Sequence, residues 1–311
     1  MFGGFSNSVR GASHEASGLV CQDHSAYEVH ENYAIAVIAD GHGSKKYFRS
    51  HLGSEFAAKA ALETVQRFYA DPEKFEQNFP AHHKLILKNI EKQIIVNWNA
   101  RVKQHLEANP VRPDEMKKFT TEEFRAIQPE SYYGTTLVVA VATKKCTFGV
   151  QIGDGSLVAI FDDGIPVMPM NYDESAPANM TASMCNSNAA SMFNSFYVPD
   201  KKLMAIYTSS DGLFTSFSNE DDFLEYHQII TSQLSNIETF ESAVRKNMEK
   251  RSHFGTEDDI SLACVYDTEL IRNSGEMLKQ KIAENKASAA ERKKKRLAAL
   301  KNDFSDKVEK A

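Results

Sequence analysis

The chain has 311 residues, 42% of them hydrophobic and 25% charged, enough apolar material for one large or two small cores without help from disulfides or a structural metal. Its net charge of −6 is unevenly spread: residues 272–311 carry twelve Lys/Arg against six Asp/Glu, leaving 24 against 36 in residues 1–271, an acidic body that suits divalent cations better than nucleic acid. Cys21, Cys146, Cys185 and Cys264 are far apart with no C-x-x-C pair, which excludes a zinc ribbon and a secreted disulfide scaffold.

The opening MFGGFSNSVRG lacks the cationic start and apolar run of a signal peptide, and no stretch reaches the roughly 18 apolar residues of a membrane span, so a cytoplasmic chain is expected. Tyr33–Ala39 is a continuous apolar run that stops at Asp40-Gly41-His42-Gly43, which predicts a buried strand emptying into a glycine-flanked turn. Ser44–Tyr69 follows with Phe48, Leu52, Phe56 and Ala60 at four-residue spacing, an amphipathic helix with Ser44 as N-cap. Lys84–Leu106 repeats the pattern through Ile90, Ile94, Trp98 and Val102, and the lone Trp98 is read as core. Residues 107–131 hold three prolines and read as a connector.

Thr135–Ala142, Cys146–Ile152 and Ser156–Phe161 are short strands joined at Lys144-Lys145 and Gly153-Asp154-Gly155, with Asp162-Asp163-Gly164 next, and suggest an antiparallel meander. Residues 171–199, rich in Asn, Ser, Ala and Met without period, read as a mobile surface segment. In it Met180, Met184 and Met192 offer either an adaptable docking surface or simple packing. Leu203–Thr208 is a strand ending at Ser209-Ser210-Asp211-Gly212. Helices are expected near 220–234 and 237–251, and Ile260–Tyr266 is the last strand, after Glu257-Asp258-Asp259. Residues 275–311 should be helical, with a thin apolar stripe of Leu278, Ile282 and Ala289 that leaves the helix solvated or free for a partner. Its Glu291–Arg296 basic run reads as a solvated helical end rather than a nucleic-acid patch, since no aromatics are interleaved for base stacking.

Four acidic turns thus sit directly beside apolar strands, at Asp40, Asp154, Asp211 and Asp258, and Asp23 precedes a short apolar-polar run. Carboxylate oxygens are the ligands Mg²⁺ and Mn²⁺ prefer, and glycine beside an acid lets backbone approach and lets its carbonyl ligate. Two cations held together stabilise attacking and leaving oxygens in phosphoryl transfer. His42, two residues past the first acid, is placed to protonate a leaving alkoxide. Any one Asp-Gly is a common turn; the order and setting of all of them carry the reading.

With Gln22-Asp23, Asp40-Gly41-His42-Gly43, Gly134-Thr135-Thr136, Gly153-Asp154-Gly155, Ser210-Asp211-Gly212-Leu213 and Asp258-Asp259-Ile260-Ser261 in that order over about 21–265, the sequence resembles the metal-dependent protein phosphatases of type 2C, in a bacterial branch. The resemblance implies an α+β fold, an αββα sandwich of two antiparallel sheets flanked by helices. It implies a catalytic domain over 1–270, with a helical insert near 70–131 and a flap near 171–199, and a basic helical tail over 271–311. It implies two or three Mn²⁺ or Mg²⁺ ions: Asp40 bridging, the Gly41 carbonyl on one, Asp211 and Asp258 completing the other, Asp23 direct or through water, and Asp154 at a weaker third. His42 would be the general acid. The implied partners are a phosphoprotein substrate and a cognate Ser/Thr kinase, for a monomer with no nucleic acid and no membrane span.

The pattern departs from the family where an arginine usually grips phosphate. Arg10 and His14 are the candidates, and His14 is assigned to the cleft against the plainer alternative of a loop histidine. Gln22 stands where Glu is usual, and Asp259 where Asn is usual. No metal ligand is lost, so hydrolysis of phosphoseryl and phosphothreonyl esters by a metal-activated water is expected. The alternatives are a silent regulatory binding module and a small-molecule phosphoesterase.

Overall fold

Tyr33–Ala39 contains no charged residue, so it suits a strand with no wet face. The computed structural model, which describes residues 1–170 and 181–287, buries all seven of its residues. In chain order the described strands are β1 (Phe2–Val9), β2 (His24–Val29), β3 (Tyr33–Ala39), β4 (Leu137–Thr143), β5 (Cys146–Ile152), β6 (Ser156–Phe161), β7 (Pro166–Val167), β8 (Asn194–Pro199), β9 (Leu203–Ser209) and β10 (Ile260–Asp267). The helices are α1 (Ala12–Ser17), α2 (Ser50–Phe68), α3 (Pro72–Ala108), the short α4 (Pro113–Met116) and α5 (Thr121–Ala126), α6 (Asp211–Thr215), α7 (Glu220–Thr231), α8 (Ile237–Arg251) and α9 (Thr268–Asn273), with helix resuming over 275–287.

The strands form two five-stranded antiparallel sheets, β1-β10-β9-β6-β7 and β2-β3-β4-β5-β8. Their facing surfaces meet through small side chains such as Ala34, Ala36, Ala140, Ala159 and Ala263. The outer face of the second sheet is covered by α2 and α3, where Ile35, Val37 and Val139 meet Ile90, Ile94 and Trp98. The outer face of the first is covered by α7 and α8, where Tyr207, Leu262 and Cys264 meet Phe223, Val244 and Met248. Both faces of the central strands are therefore dry, which explains apolar runs rather than alternation. The expected α+β sandwich of helix, sheet, sheet and helix is present.

Several local expectations change. The meander breaks at Gly153-Asp154-Gly155: β5 belongs to one sheet, and β6 crosses to the other to pair with β9. The first helix begins at Ser50 after a 3₁₀ turn over Lys45–Tyr47, and the Ser44 side chain caps nothing. Its most buried face is made of small residues, Gly53, Ser54, Ala57, Ala58 and Ala61, rather than the Phe48-Leu52-Phe56 stripe. That choice has a cause in Gly53, where an added Cβ would collide with the Tyr133 carbonyl. The Trp98 indole N–H donates to the Gly53 carbonyl at 3.0 Å, which locks α3 onto α2.

The connector contains structure of its own. Arg49 binds Glu115 at both oxygens, 2.9 and 2.8 Å, and also donates to the Asn109 and Pro110 carbonyls and the Tyr133 hydroxyl. Strands β1 and β8 stand where the sequence announced none. Of the segment read as mobile, 181–199 is packed: Met184, Ala189 and Phe193 are buried, Met192 lies against the same core, and β8 joins a sheet. Residues 171–180, including Met180, lie outside the described residues, as do 288–311 with the Glu291–Arg296 run and Ala289. The start of the last helix is less solvated than expected, because Leu278 is fully buried.

Candidate metal centre

An antiparallel sandwich brings strand ends together in alternating sense. At one edge it collects the end of β3 (Asp40), the start of β2 (Asp23), the β5–β6 turn (Asp154), the end of β9 (Asp211) and the start of β10 (Asp258). All five acids line one cavity of about 240 Å³. His14, Gly41 and His42 line it too, whereas Arg10, the other candidate for the phosphate, does not.

The Asp40–His42 turn is fixed by the Gly134-Thr135-Thr136 segment. The Asp40 carbonyl accepts from the Thr136 N–H and the Thr135 hydroxyl, both at 2.8 Å, and the Asp40 N–H donates to the Thr136 hydroxyl at 3.1 Å. The His42 N–H donates to the Gly134 carbonyl at 3.1 Å, and its ring lies 4.7 Å from that of Tyr47. A Cβ at Gly41 would lie 2.6 Å from the Gln22 carbonyl, so glycine is what lets this turn sit against Gln22.

The electrostatics are those of a cation site. Burial, then the negative charge of Asp259, pushes the Asp23 carboxyl well above the usual range. Burial, followed by Asp23 and Asp211, does the same to Asp40. Burial, with Asp154, raises Asp211, and burial first of all raises Asp258. Asp40 and Asp211 are within hydrogen-bond reach of each other, which two carboxylates tolerate only with a proton or a cation between them. Asp23 Oδ2 is buried with no hydrogen-bond partner. Unpaired buried carboxylate oxygens are costly unless something positive completes them. Among the described residues no three such groups already close on one point. The acids leave room between them, which suits Mg²⁺ or Mn²⁺ keeping several waters of its own. All-oxygen donors and an orphaned carboxylate oxygen fit a hard divalent cation.

Burial lowers the His42 imidazole, with Asp154 opposing the shift. Of the two phosphate-gripping candidates, Arg10 donates to the His14 carbonyl at 2.8 Å, while His14 lines the cavity. Two functional neighbours were not assigned from sequence. Thr181 donates to Asp154 at 2.8 Å. Asp259, 3% exposed, lies at the cavity wall, and its sequence signals are the doubled acid at 258–259 and its place where Asn is usual.

Among solved structures of similar fold are a serine/threonine phosphatase, Stp1, from Staphylococcus aureus (12% identity, 86% of this chain and 95% of that one, TM-score 0.51) and one from S. agalactiae (15%, 86% and 99%, 0.51). A third is PppA of Pseudomonas aeruginosa (17%, 85% and 97%, 0.50), described as a key regulatory component of T6SS. No curated protein sequence matches the chain. Residues 10–250 match the family model described as protein phosphatase 2C, and with the acid-lined edge of its sandwich the chain belongs to this family of metal-dependent serine/threonine protein phosphatases.

Proposed function

We propose that the acid-lined cavity is the catalytic centre, in which Asp40, the Gly41 carbonyl, Asp211 and Asp258 would hold two Mn²⁺ or Mg²⁺ ions. Asp23 would contribute directly or through water, and Asp154 would serve a weaker third ion. The buried, mutually repelling carboxylates around Asp40 support this reading more than any other observation, because their charge is unfavourable without a cation. Bound ions would supply Lewis-acid activation of water and neutralise phosphoryl charge.

The chain's own residues do the rest. Asp40 and Asp211 orient the donor set from the ends of β3 and β9. His42, held by Gly134 and Tyr47, gives a proton to the departing seryl or threonyl oxygen. His14 contacts the phosphate from its place on the cavity lining beside Asp259. Thr181 donates to Asp154 on the exposed part of the cavity lining. A kinase acting on the same phosphoprotein, a monomeric chain and a cytoplasmic setting complete the reading; four free cysteines support the last. None of the described helices is long and apolar enough to cross a membrane. The basic run near the C-terminus belongs to a tail distinct from the catalytic domain in the same reading.

The test is hydrolysis of p-nitrophenyl phosphate and of a phosphothreonine peptide with Mn²⁺, Mg²⁺ or EDTA. Wild type should turn over with metal only, and Asp211→Asn should lose at least about a hundredfold in kcat/KM. Turnover in EDTA, or an unimpaired Asp211→Asn, would contradict it.

A further inference from the structure

Asp259 does more than continue an acidic turn. Its Oδ1 accepts the Gly11 N–H at 2.6 Å and lies 3.0 Å from His14 Nδ1, while its Oδ2 accepts the Gln22 N–H at 2.6 Å. One buried carboxylate thus ties both ends of the 11–22 segment to the start of β10. Three N–H groups converge on it. An asparagine, with a single acceptor oxygen, would turn its own amide hydrogens on one of them, so the site as built needs an acid.

The His14 side chain is 13% exposed and lines the cavity. With Nδ1 held by Asp259, the ring can neither flip nor turn away, and Nε2 is the nitrogen left for the cavity. Between a carboxylate behind and a phosphate in front, an imidazole donates to both. Arg10, whose Nη2 donates to the His14 carbonyl, is not among the residues that line the cavity.

We infer that Asp259 is a positioning residue, which fixes His14 as the phosphate-oxygen donor, so that the carboxylate at 259 and the imidazole at 14 work as one unit. This rests on the phosphatase reading of the cavity and deepens it. A merely structural Asp259 would stiffen the fold without acting through His14.

Wild type, His14→Ala, Asp259→Asn and the double variant are compared for peptide hydrolysis, for inhibition by inorganic phosphate and for Mn²⁺ affinity by calorimetry. His14→Ala should raise both KM and the phosphate inhibition constant about tenfold or more, the size of one hydrogen bond to a charged group, with Mn²⁺ affinity as in wild type. Asp259→Asn should reproduce that shift, and the double variant should be no worse than Asp259→Asn alone. Independently of how the variants fold, ¹⁵N NMR of wild type with Mg²⁺ should show His14 Nε2 responding to added phosphate while Nδ1 stays protonated. Unchanged KM and phosphate inhibition in His14→Ala, additive effects in the double variant, or a silent Nε2 resonance would each overturn the inference. A wild-type chain inactive with every metal would instead remove the phosphatase reading, and this inference with it.

Discussion

At Asp40 folding and chemistry pull in opposite directions, and the opposition was visible in the sequence because an acid directly after seven apolar residues has nowhere to hide. The same holds for Asp211 and Asp258, each beside a strand that is buried where it meets the acid. Asp259 could not be read that way, since its partners Gly11, His14 and Gln22 lie more than 200 residues away along the chain. His227 on α7 was equally silent. It is fully buried against the rings of Tyr207, Phe223 and Tyr226, its Nδ1 is 2.8 Å from the Phe223 carbonyl, and its Nε2 has no partner. Burial lowers its pKa to about 4 from 6.5. The unfolded chain therefore takes up this proton first: stability is whole above pH 6.5 and falls as pH drops from there toward 4, by roughly 3 kcal/mol in all. The raised carboxylates of the metal centre work in the opposite sense, so the comparison must be differential. Urea midpoints of wild type and His227→Phe should diverge below pH 6.5; parallel curves would refute the assignment.

Among the elements, those whose apolar residues face layers on both sides were legible, as β3, β5 and β6 show by matching their expected ranges. Strand β1 was not. Its FGGFSNSV sequence carries Gly3 and Gly4 because the rings of Tyr266 and Tyr27 occupy the space where their side chains would go. A strand shaped by its neighbours' bulk has no local signal. The start of α2 was misjudged for a related reason, since Arg49, not Ser44, anchors it through Glu115. That pair is 4% and 9% exposed and bidentate. Removing one partner strands the other in the interior, so Arg49→Met should lose about 3–5 kcal/mol, and Arg49→Met combined with Glu115→Leu should recover much of it. Chemical denaturation of the three proteins measures this; an Arg49→Met chain as stable as wild type would show the pair to be idle. The Tyr133 end of the same network carries Gly134, so loss of Arg49 should also loosen the turn that holds His42.

For the whole molecule, the two sheets bring their charge to one edge and keep the faces dry. Without cations the edge repels itself. Saturating Mn²⁺ at a hundredfold its dissociation constant should therefore stabilise the fold by about 2.7 kcal/mol, and EDTA should reverse the gain. Asp40→Asn removes one of the repelling charges. In EDTA it should melt higher than wild type, by about 2 °C or more, and it should respond weakly to Mn²⁺. Scanning calorimetry with and without metal gives both numbers, and a metal-free Asp40→Asn that melts below wild type would mean that the carboxylates are not in conflict.

The pairing of β10 between β1 and β9 has a consequence for how the protein is born. The first sheet has its N-terminal strand at one side and needs β10 before that strand has a neighbour. The second sheet is complete once β8 has emerged from the ribosome. During synthesis one half of the sandwich can therefore assemble while the other waits, with Asp23 and Asp40 already made and Asp258 still to come. A nascent chain arrested before residue 260 would hold a folded half and an inactive edge, and the enzyme would switch on only when its last strand slides into the gap.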